Sequence, residues 1–159
     1  MLDHAIDEAM LELRSMYFSD EALWRISMLN ITKTDIERIS DYAENIAEFA
    51  EELHAKKSTL SGEALEELRH MADDAEKIVG LALDIFSSED YAKLYELDKI
   101  EAGIDLQKTE LVGHHVDRLM EGECEPLAGI IFTNVVTELE RIGDHAENIA
   151  YALSGQDPS

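Results

Sequence analysis

A fourteen-residue segment occurs twice in this chain, and both copies have the spacing of an amphipathic α-helix. Residues 34–47 are TDIERISDYAENIA and residues 137–150 are TELERIGDHAENIA, so ten of the fourteen positions are identical. Apolar side chains recur at steps of three and four residues, which is the spacing of a seam between packed helices. The predicted seams are Ile36, Ile39, Ala43, Ile46, Ala50 and Leu53 in the first copy, and Phe132, Val135, Leu139, Ile142, Ala146, Ile149 and Leu153 in the second. The repeat therefore predicts two helices that each pack against helical partners.

The rest of the chain also favours helices. Two Pro and eight Gly among 159 residues leave few helix-breaking positions, and aromatic residues make up only 6%. Start and stop signals predict helices at about 2–17, 20–56, 62–86, 89–121 and 125–153. Ser19 is the expected N-cap of the second helix, and Gly122 is expected to end the fourth. We therefore predict an all-α antiparallel bundle of about five helices.

The chain is strongly acidic, with 36 Asp and Glu against 13 Lys and Arg and a formal net charge of −23. Nucleic-acid binding requires a basic surface that replaces counterions on the phosphates, so nucleic acid is excluded as a partner. No apolar run is long enough to span a bilayer, and the N-terminus is too acidic for a secretory signal. The single Cys124 excludes an internal disulfide. We expect a cytoplasmic protein whose acidic surface favours cations.

Pairs of carboxylates recur at four-residue spacing, two within the repeat and two ahead of it. The pairs are Glu37 with Asp41, Glu140 with Asp144, Asp3 with Asp7, and Glu101 with Asp105. Side chains four apart on a helix project side by side about 6 Å apart, so two carboxylates can share one cation. In the repeat, these acids lie on an arc opposite the seam, together with Glu44, Glu48 and Glu147. Two interpretations stay open, a metal site and a solvated face with local ion pairs.

The repeat also carries a family resemblance. ERIGDHAENIA and its earlier partner ERISDYAENIA resemble the paired motif of PhoU-type proteins, which regulate phosphate uptake. The longer run HHVDRLMEGECEPLAGIIFTNVVTELERIGDHAENIA is similar to the end of the PhoU-like domain of bacterial Na/phosphate cotransporter family proteins. The resemblance implies two three-helix bundles with the motif on the third helix of each. Residues 1–57 would then form an incomplete first repeat, residues 58–155 a complete second repeat, and residues 156–159 a disordered tail.

The resemblance implies two surface metal clusters, each held by two carboxylate pairs. One set would be Asp3, Asp7, Glu37 and Asp41, and the other Glu101, Asp105, Glu140 and Asp144. Iron is the expected metal, and zinc, manganese and magnesium are the alternatives. Ser40 and Tyr42 stand where the family motif has Gly and His, which sets the first cluster apart from the second. His145 is expected to have a structural or supporting role rather than to bind the metal.

The function implied by the resemblance is regulatory and non-enzymatic. The chain would be the PhoU-like part of a Na/phosphate cotransporter at the inner face of the plasma membrane, with the transmembrane transporter domain as its partner. A free-standing adaptor that regulates a phosphate transporter or a sensor kinase is the alternative, and a metal-dependent oxidase or hydrolase is a third class. Five helices in place of the family's six would expose an apolar groove, to be covered by a homodimer partner or by a missing segment.

Overall fold

The computed structural model of the chain describes residues 2–14, 19–122 and 125–156. Over these ranges the protein consists of helices and turns without a β-strand, which confirms the all-α prediction. The helices are α1 (Leu2–Arg14), α2 (Asp20–Lys56), α3 (Gly62–Ser88), α4 (Leu94–Met120) and α5 (Pro126–Tyr151), with a 3-10 turn at Tyr91–Lys93 between α3 and α4. Within the described ranges, none of the helices has both the length and the hydrophobicity that a membrane span requires.

The helix ends follow local capping chemistry. The Ser19 hydroxyl accepts a hydrogen bond from the backbone N–H of Ala22 at 3.3 Å, which confirms Ser19 as the N-cap of α2. The Ser61 hydroxyl caps α3 in the same way, accepting from the N–H of Ala64 at 3.1 Å. These caps satisfy N–H groups that the first helical turn leaves without an intrahelical partner.

The boundary between α3 and α4 differs from the prediction. We predicted that the third helix ends near 86 and that the fourth begins near 89, but α3 continues through Ser88 and α4 begins only at Leu94. The Ser88 hydroxyl donates to the Asp84 carbonyl at 2.7 Å and accepts from the backbone N–H of Asp90 at 3.3 Å, so it bonds both within the last turn of α3 and to the residue before the 3-10 turn. Glu89 then ends α3 in the left-handed conformation, with φ of 55°.

α5 is the central helix of the bundle, because α2, α3 and α4 all pack against it. The core lies between α5 and its neighbours and contains Phe132, Val136 and Ile149 from α5, Met71 and Ile78 from α3, and Leu97 and Ile104 from α4. α2 runs antiparallel to α5, since Asp35 contacts His145 while Asn45 contacts Glu138. The two copies of the repeat therefore pack against each other.

The predicted seam of the second copy is confirmed, and that of the first copy is partly wrong. Every predicted seam residue within α5 is buried, and Leu153, which lies beyond the end of α5, is half-buried. On α2, Ile36 is 48% exposed, and Ala43 and Ala50 are exposed too. The side chains of α2 that pack against the core are Ile39, Tyr42, Ile46, Phe49 and Leu53. Their alternating steps of three and four follow one narrow coiled-coil seam, because α2 lies at the edge of the bundle and has only α5 along that face.

Candidate metal centre

Three carboxylates from two helices converge between α4 and α5. Glu101 and Asp105 lie one turn apart on α4, and Asp144 on α5 points towards them. One oxygen of each carboxylate lies within 4.8 Å of the others. Among the residues that the structure describes, these three side chains form the group of Asp, Glu, His or Cys residues whose ligand atoms lie close enough together to hold one metal ion.

The residue before Asp144 lies where α5 packs against α4. Gly143 faces Ile104 of α4, and a Cβ atom added at Gly143 would lie 3.4 Å from Ile104 Cδ1. At that distance the added carbon would be in ordinary van der Waals contact, so Gly143 lies in the packed surface between α5 and α4, next to Asp144. The first copy has Ser40 at the equivalent position.

The electrostatics of this cluster are unfavourable without a cation. Burial raises the pKa of Glu101 to about 7, with further contributions from Asp105, Glu147, Asp144 and Asp98. Burial also raises the pKa of Asp144, and the neighbouring carboxylates of Glu140 and Asp105 add to that effect. Like charges held this close disfavour ionisation, and a bound cation would favour it. The three-carboxylate cluster therefore fits a cation in both geometry and charge.

Glu140, the fourth predicted ligand of this cluster, forms an ion pair with Lys108 of α4. Its Oε1 lies 2.5 Å from the Lys108 ammonium nitrogen, and the Glu140 side chain is only 15% exposed. The structure thus brings Glu101, Asp105 and Asp144 together and keeps Glu140 in an ion pair beside them. For Glu140 to bind a metal ion, its contact with Lys108 would have to break.

The acidic arc of the second copy is less solvated than the pattern indicated. Glu147 is buried, with 7% exposure, and Glu140 is half-buried, whereas their counterparts Glu44 and Glu37 in the first copy are exposed. Asp144 and its counterpart Asp41 are both exposed. The physical reason is the central place of α5, which is covered on several faces, whereas α2 is covered along one seam.

The predicted first cluster already contains a lysine. Lys33 Nζ lies 2.7 Å from Asp7 Oδ1 and 3.3 Å from Glu37 Oε1, so an ammonium group lies between two of the predicted ligands. Asp41 lies 3.8 Å from Arg38 instead. The side chain of Asp3, the remaining predicted ligand, falls outside the described residues, so the first cluster stays a prediction.

The sequence does contain a signal that separates the two clusters. Lys33 lies four residues before Glu37, the spacing of a helical ion pair. Val136 is its counterpart in the second copy, four residues before Glu140. The first copy therefore supplies its own cation, and the second does not supply one at this position.

Several contacts between the two repeat helices were not predicted. His145 Nδ1 lies 2.8 Å from Oδ1 of the buried Asp35, and the Tyr42 hydroxyl lies 3.5 Å from His145 Nε2. Asn45 Nδ2 donates to Glu138 Oε1 at 3.5 Å. His145 thus lies in the interface between α2 and α5 and outside the three-carboxylate cluster, in agreement with its expected structural role. Two of the repeat positions that differ between the copies, Asp35/Glu138 and Tyr42/His145, contribute to this interface.

A buried ion pair joins α3 to α4 away from the carboxylate cluster, and it too was not predicted. Arg118 Nη2 lies 2.9 Å from Glu67 Oε2, and the two side chains are 9% and 14% exposed. His114 Nδ1 lies 2.7 Å from the other oxygen of Glu67. The Arg118 guanidinium also lies over the Phe132 ring, 5.0 Å from its centroid. Residues this far apart in sequence give no local signal of such a pair.

Comparison with known proteins decides the family. The PhoU domain family matches residues 68–153, which is more than half of the chain and includes the whole three-carboxylate cluster. The chain belongs to the PhoU family. This confirms the PhoU resemblance, while the relation to Na/phosphate cotransporters and the division into repeats at residue 57 stay predictions.

The relatives of this PhoU-family chain carry a common description. It is 32% identical over 115 residues to the phosphate-specific transport system accessory protein PhoU homolog 1 of Thermotoga maritima, covering 72% of this chain and 49% of that protein. It is 31% identical over 139 residues to the corresponding PhoU homolog of Pseudomonas aeruginosa, covering 82% of this chain and 55% of that protein. The chain spans about half the length of these relatives. No solved structure matches it significantly.

Proposed function

We propose that this PhoU-family chain is a regulatory, non-catalytic component of phosphate transport. The observation that carries this proposal is the match of the PhoU domain to residues 68–153, joined by relatives described as accessory proteins of phosphate-specific transport systems. A transporter is the partner that this description implies, and the cytoplasmic side of the membrane is the place where such a partner would be met.

We also propose that Glu101, Asp105 and Asp144 hold a metal ion. Three carboxylate oxygens form a hard ligand set, which suits iron, manganese or magnesium, with zinc as a further alternative. The raised pKa values of Glu101 and Asp144 support this assignment, because a bound cation would offset the repulsion among the acids. The cation would supply positive charge, and the protein would supply its position by fixing α4 against α5.

The finer form of the proposal is a PhoU-like domain of a Na/phosphate cotransporter, at the inner face of the plasma membrane. The run GEC-x-P-x-AG-x-IF at residues 122–132 supports this branch through its resemblance to cotransporter domains. The alternative is a free-standing adaptor that acts on a separate transporter or on a sensor kinase. For either form, we predict a homodimer. Sedimentation velocity on the purified protein would test that prediction.

Phosphate uptake in the native host tests the regulatory role. We expect inactivation of the gene to change the rate of radiolabelled phosphate uptake, and the wild-type gene to restore it. An effect that vanishes when choline replaces sodium would support the cotransporter form, and one that persists would support the adaptor. Complementation with Asp144→Asn, beside Asp73→Asn as an exposed control outside both predicted clusters, tests the cluster separately. Unchanged uptake in the inactivated strain at both low and high phosphate would contradict the regulatory proposal.

A further inference from the structure

The same carboxylate position in the two copies of the repeat is paired with a lysine. Glu37 and Glu140 occupy equivalent positions of the two copies, and both belong to the predicted metal-binding pairs. Lys33 lies one turn earlier on the same helix as Glu37, and its Nζ is 3.3 Å from Glu37 Oε1. Lys108 comes from the neighbouring helix α4, and its Nζ is 2.5 Å from Glu140 Oε1. Neither lysine lies within the repeated segment, so the chain supplies the same charge to the same position by two different routes.

The Lys108 ammonium lies at the edge of the three-carboxylate cluster. Lys108 follows Asp105 by about one turn of α4, and Glu140 precedes Asp144 by about one turn of α5. Burial raises the pKa of Asp144, the neighbouring acids Glu140 and Asp105 raise it further, and the Lys108 ammonium lowers it. Both members of the Lys108–Glu140 pair therefore act electrostatically on Asp144. The pair is partly shielded from water, since the Lys108 and Glu140 side chains are 36% and 15% exposed.

An ion bound by the three carboxylates would change the balance at this pair. Bound through one oxygen each, Glu101, Asp105 and Asp144 fill about half of the roughly six positions that hard cations take, and Glu140 is the predicted fourth carboxylate. An ion on Glu140 would bring a second positive charge against the Lys108 ammonium, and two cations this close repel each other. The ammonium must therefore move away before Glu140 can bind the ion. A monovalent ion would only replace one unit of charge by another, whereas a divalent or trivalent ion gains attraction from all four acids.

We propose that Lys108 is a built-in counter-cation of the metal site, which pairs with Glu140 before an ion binds and is displaced when a divalent or trivalent ion takes Glu140 as its fourth carboxylate. This inference rests on the proposed binding of a metal ion by Glu101, Asp105 and Asp144. Lys108 does not bind the ion. It lowers the affinity of the site, because the ion must break the ion pair, and it discriminates against monovalent ions, because they gain nothing by replacing the ammonium.

Calorimetric titration of Mn²⁺ into the full chain tests the effect on affinity. Lys108→Met removes the ammonium, Lys108→Arg keeps its charge, and Lys77→Met removes a lysine that is exposed on α3. We expect Lys108→Met to bind Mn²⁺ about fivefold more tightly than the wild type, because no ion pair has to break. Lys108→Arg and Lys77→Met should stay within about twofold of the wild type, with circular dichroism confirming that all variants are folded.

Potassium competition tests the discrimination by charge, at constant ionic strength so that screening stays the same. Replacing KCl with choline chloride should tighten Mn²⁺ binding to Lys108→Met, because K⁺ competes for Glu140 only when the lysine is gone. The same replacement should change the wild-type affinity little. Equal changes in the two proteins would overturn the discrimination by charge.

Chemical labelling tests the displacement itself. The initial rate of reductive methylation at Lys108, read by mass spectrometry, should rise when Mn²⁺ saturates the wild-type chain, because the lysine then leaves Glu140 and turns towards solvent. Lys77, which is exposed on α3, is the reference within the same sample. An unchanged rate at Lys108 under saturating Mn²⁺ would overturn the displacement.

The metal proposal and the Lys108 proposal fail in different ways. If neither the wild type nor Lys108→Met binds Mn²⁺, Fe²⁺ or Zn²⁺, both proposals are overturned. If the wild type binds an ion and Asp144→Asn weakens that binding, but Lys108→Met binds no more tightly, the metal site stands and only the Lys108 proposal is overturned. An equal gain in Lys77→Met would overturn it as well, because the effect would then come from the net charge of the chain.

Discussion

Glu101 gives the sharpest test of the three-carboxylate cluster, because its pKa makes stability depend on pH in an unusual direction. Its pKa is raised to about 7 in the folded chain, from an ordinary value of 4.5. The folded state therefore binds the Glu101 proton more tightly than the unfolded state does. By linkage, the Glu101 contribution to stability falls as pH rises from about 4.5 to about 7 and stays low above that. Most acids in ion pairs have the opposite effect.

The magnitude follows from the size of the shift. A carboxyl pKa near 7 in place of 4.5 corresponds to roughly 3.5 kcal/mol, at about 1.4 kcal/mol per pH unit. Glu101 is only half-buried, so solvent screening reduces this figure, and we expect about 1–2 kcal/mol. Glu101→Gln keeps the shape and removes the charge. It should therefore raise the free energy of unfolding by that amount at pH 8 and change it little at pH 4.5.

Urea unfolding in the presence of EDTA, at pH 4.5 and pH 8, measures this difference. Glu96→Gln is the matched control, since Glu96 is an exposed acid on the same helix. A Glu101→Gln variant that is less stable than the wild type at pH 8, or that differs from it equally at both pH values, would refute the electrostatic argument. Saturating Mn²⁺ should reverse the order at pH 8, because ligand at a hundred times its dissociation constant stabilises the wild type by about 2.7 kcal/mol.

Three further predictions concern composition and stability. Elemental analysis of protein purified without chelator or nickel resin should find metal in the wild type and substantially less in Asp144→Asn, and equal contents would argue for a solvated acidic face. Gly143→Val should lower the free energy of unfolding by about 1–3 kcal/mol, because the larger side chain overpacks against α4. Gly80 has open space around it, so Gly80→Ala should raise the free energy of unfolding by about 0.5–1 kcal/mol. Thermal unfolding would show whether the two substitutions change stability in opposite directions. Glu67→Gln should cost about 3 kcal/mol in urea unfolding, because it leaves the Arg118 charge buried without its ionic partner, and a loss below 0.5 kcal/mol would contradict this.

The buried residues were predicted most accurately for α5, the helix that has other helices packed around it. The α5 seam is buried as expected because α5 is surrounded by helices, so every apolar position of the stripe meets a partner. The α2 seam was misplaced by part of a turn, because periodicity shows that an apolar face exists but not how much of it is covered. Ile36 and Ile39 fit the same helical pattern, and only the position of α2 at the bundle edge separates them.

The candidate site shows the same limit. Four-residue spacing placed Glu101 beside Asp105 on one helix, and the repeat pointed to Asp144 on another; the structure brings these three carboxylates together. Spacing within one helix could not show that Lys108 from α4 would pair with Glu140, since that contact depends on the packing of α4 on α5. The Asp35–His145 contact is equally a product of tertiary packing between residues far apart in the chain.

The raised pKa of Glu101 has a thermodynamic consequence for the proposed cation site. Glu101 belongs to the carboxylate cluster with Asp105 and Asp144, so the proton on Glu101 and the proposed cation would compete for the same group. The factor by which protonation of Glu101 weakens the affinity for the cation must equal the factor by which the cation weakens the affinity for that proton, because coupling between two binding equilibria is reciprocal. Titrations of Mn²⁺ binding at several pH values therefore measure the coupling in both directions.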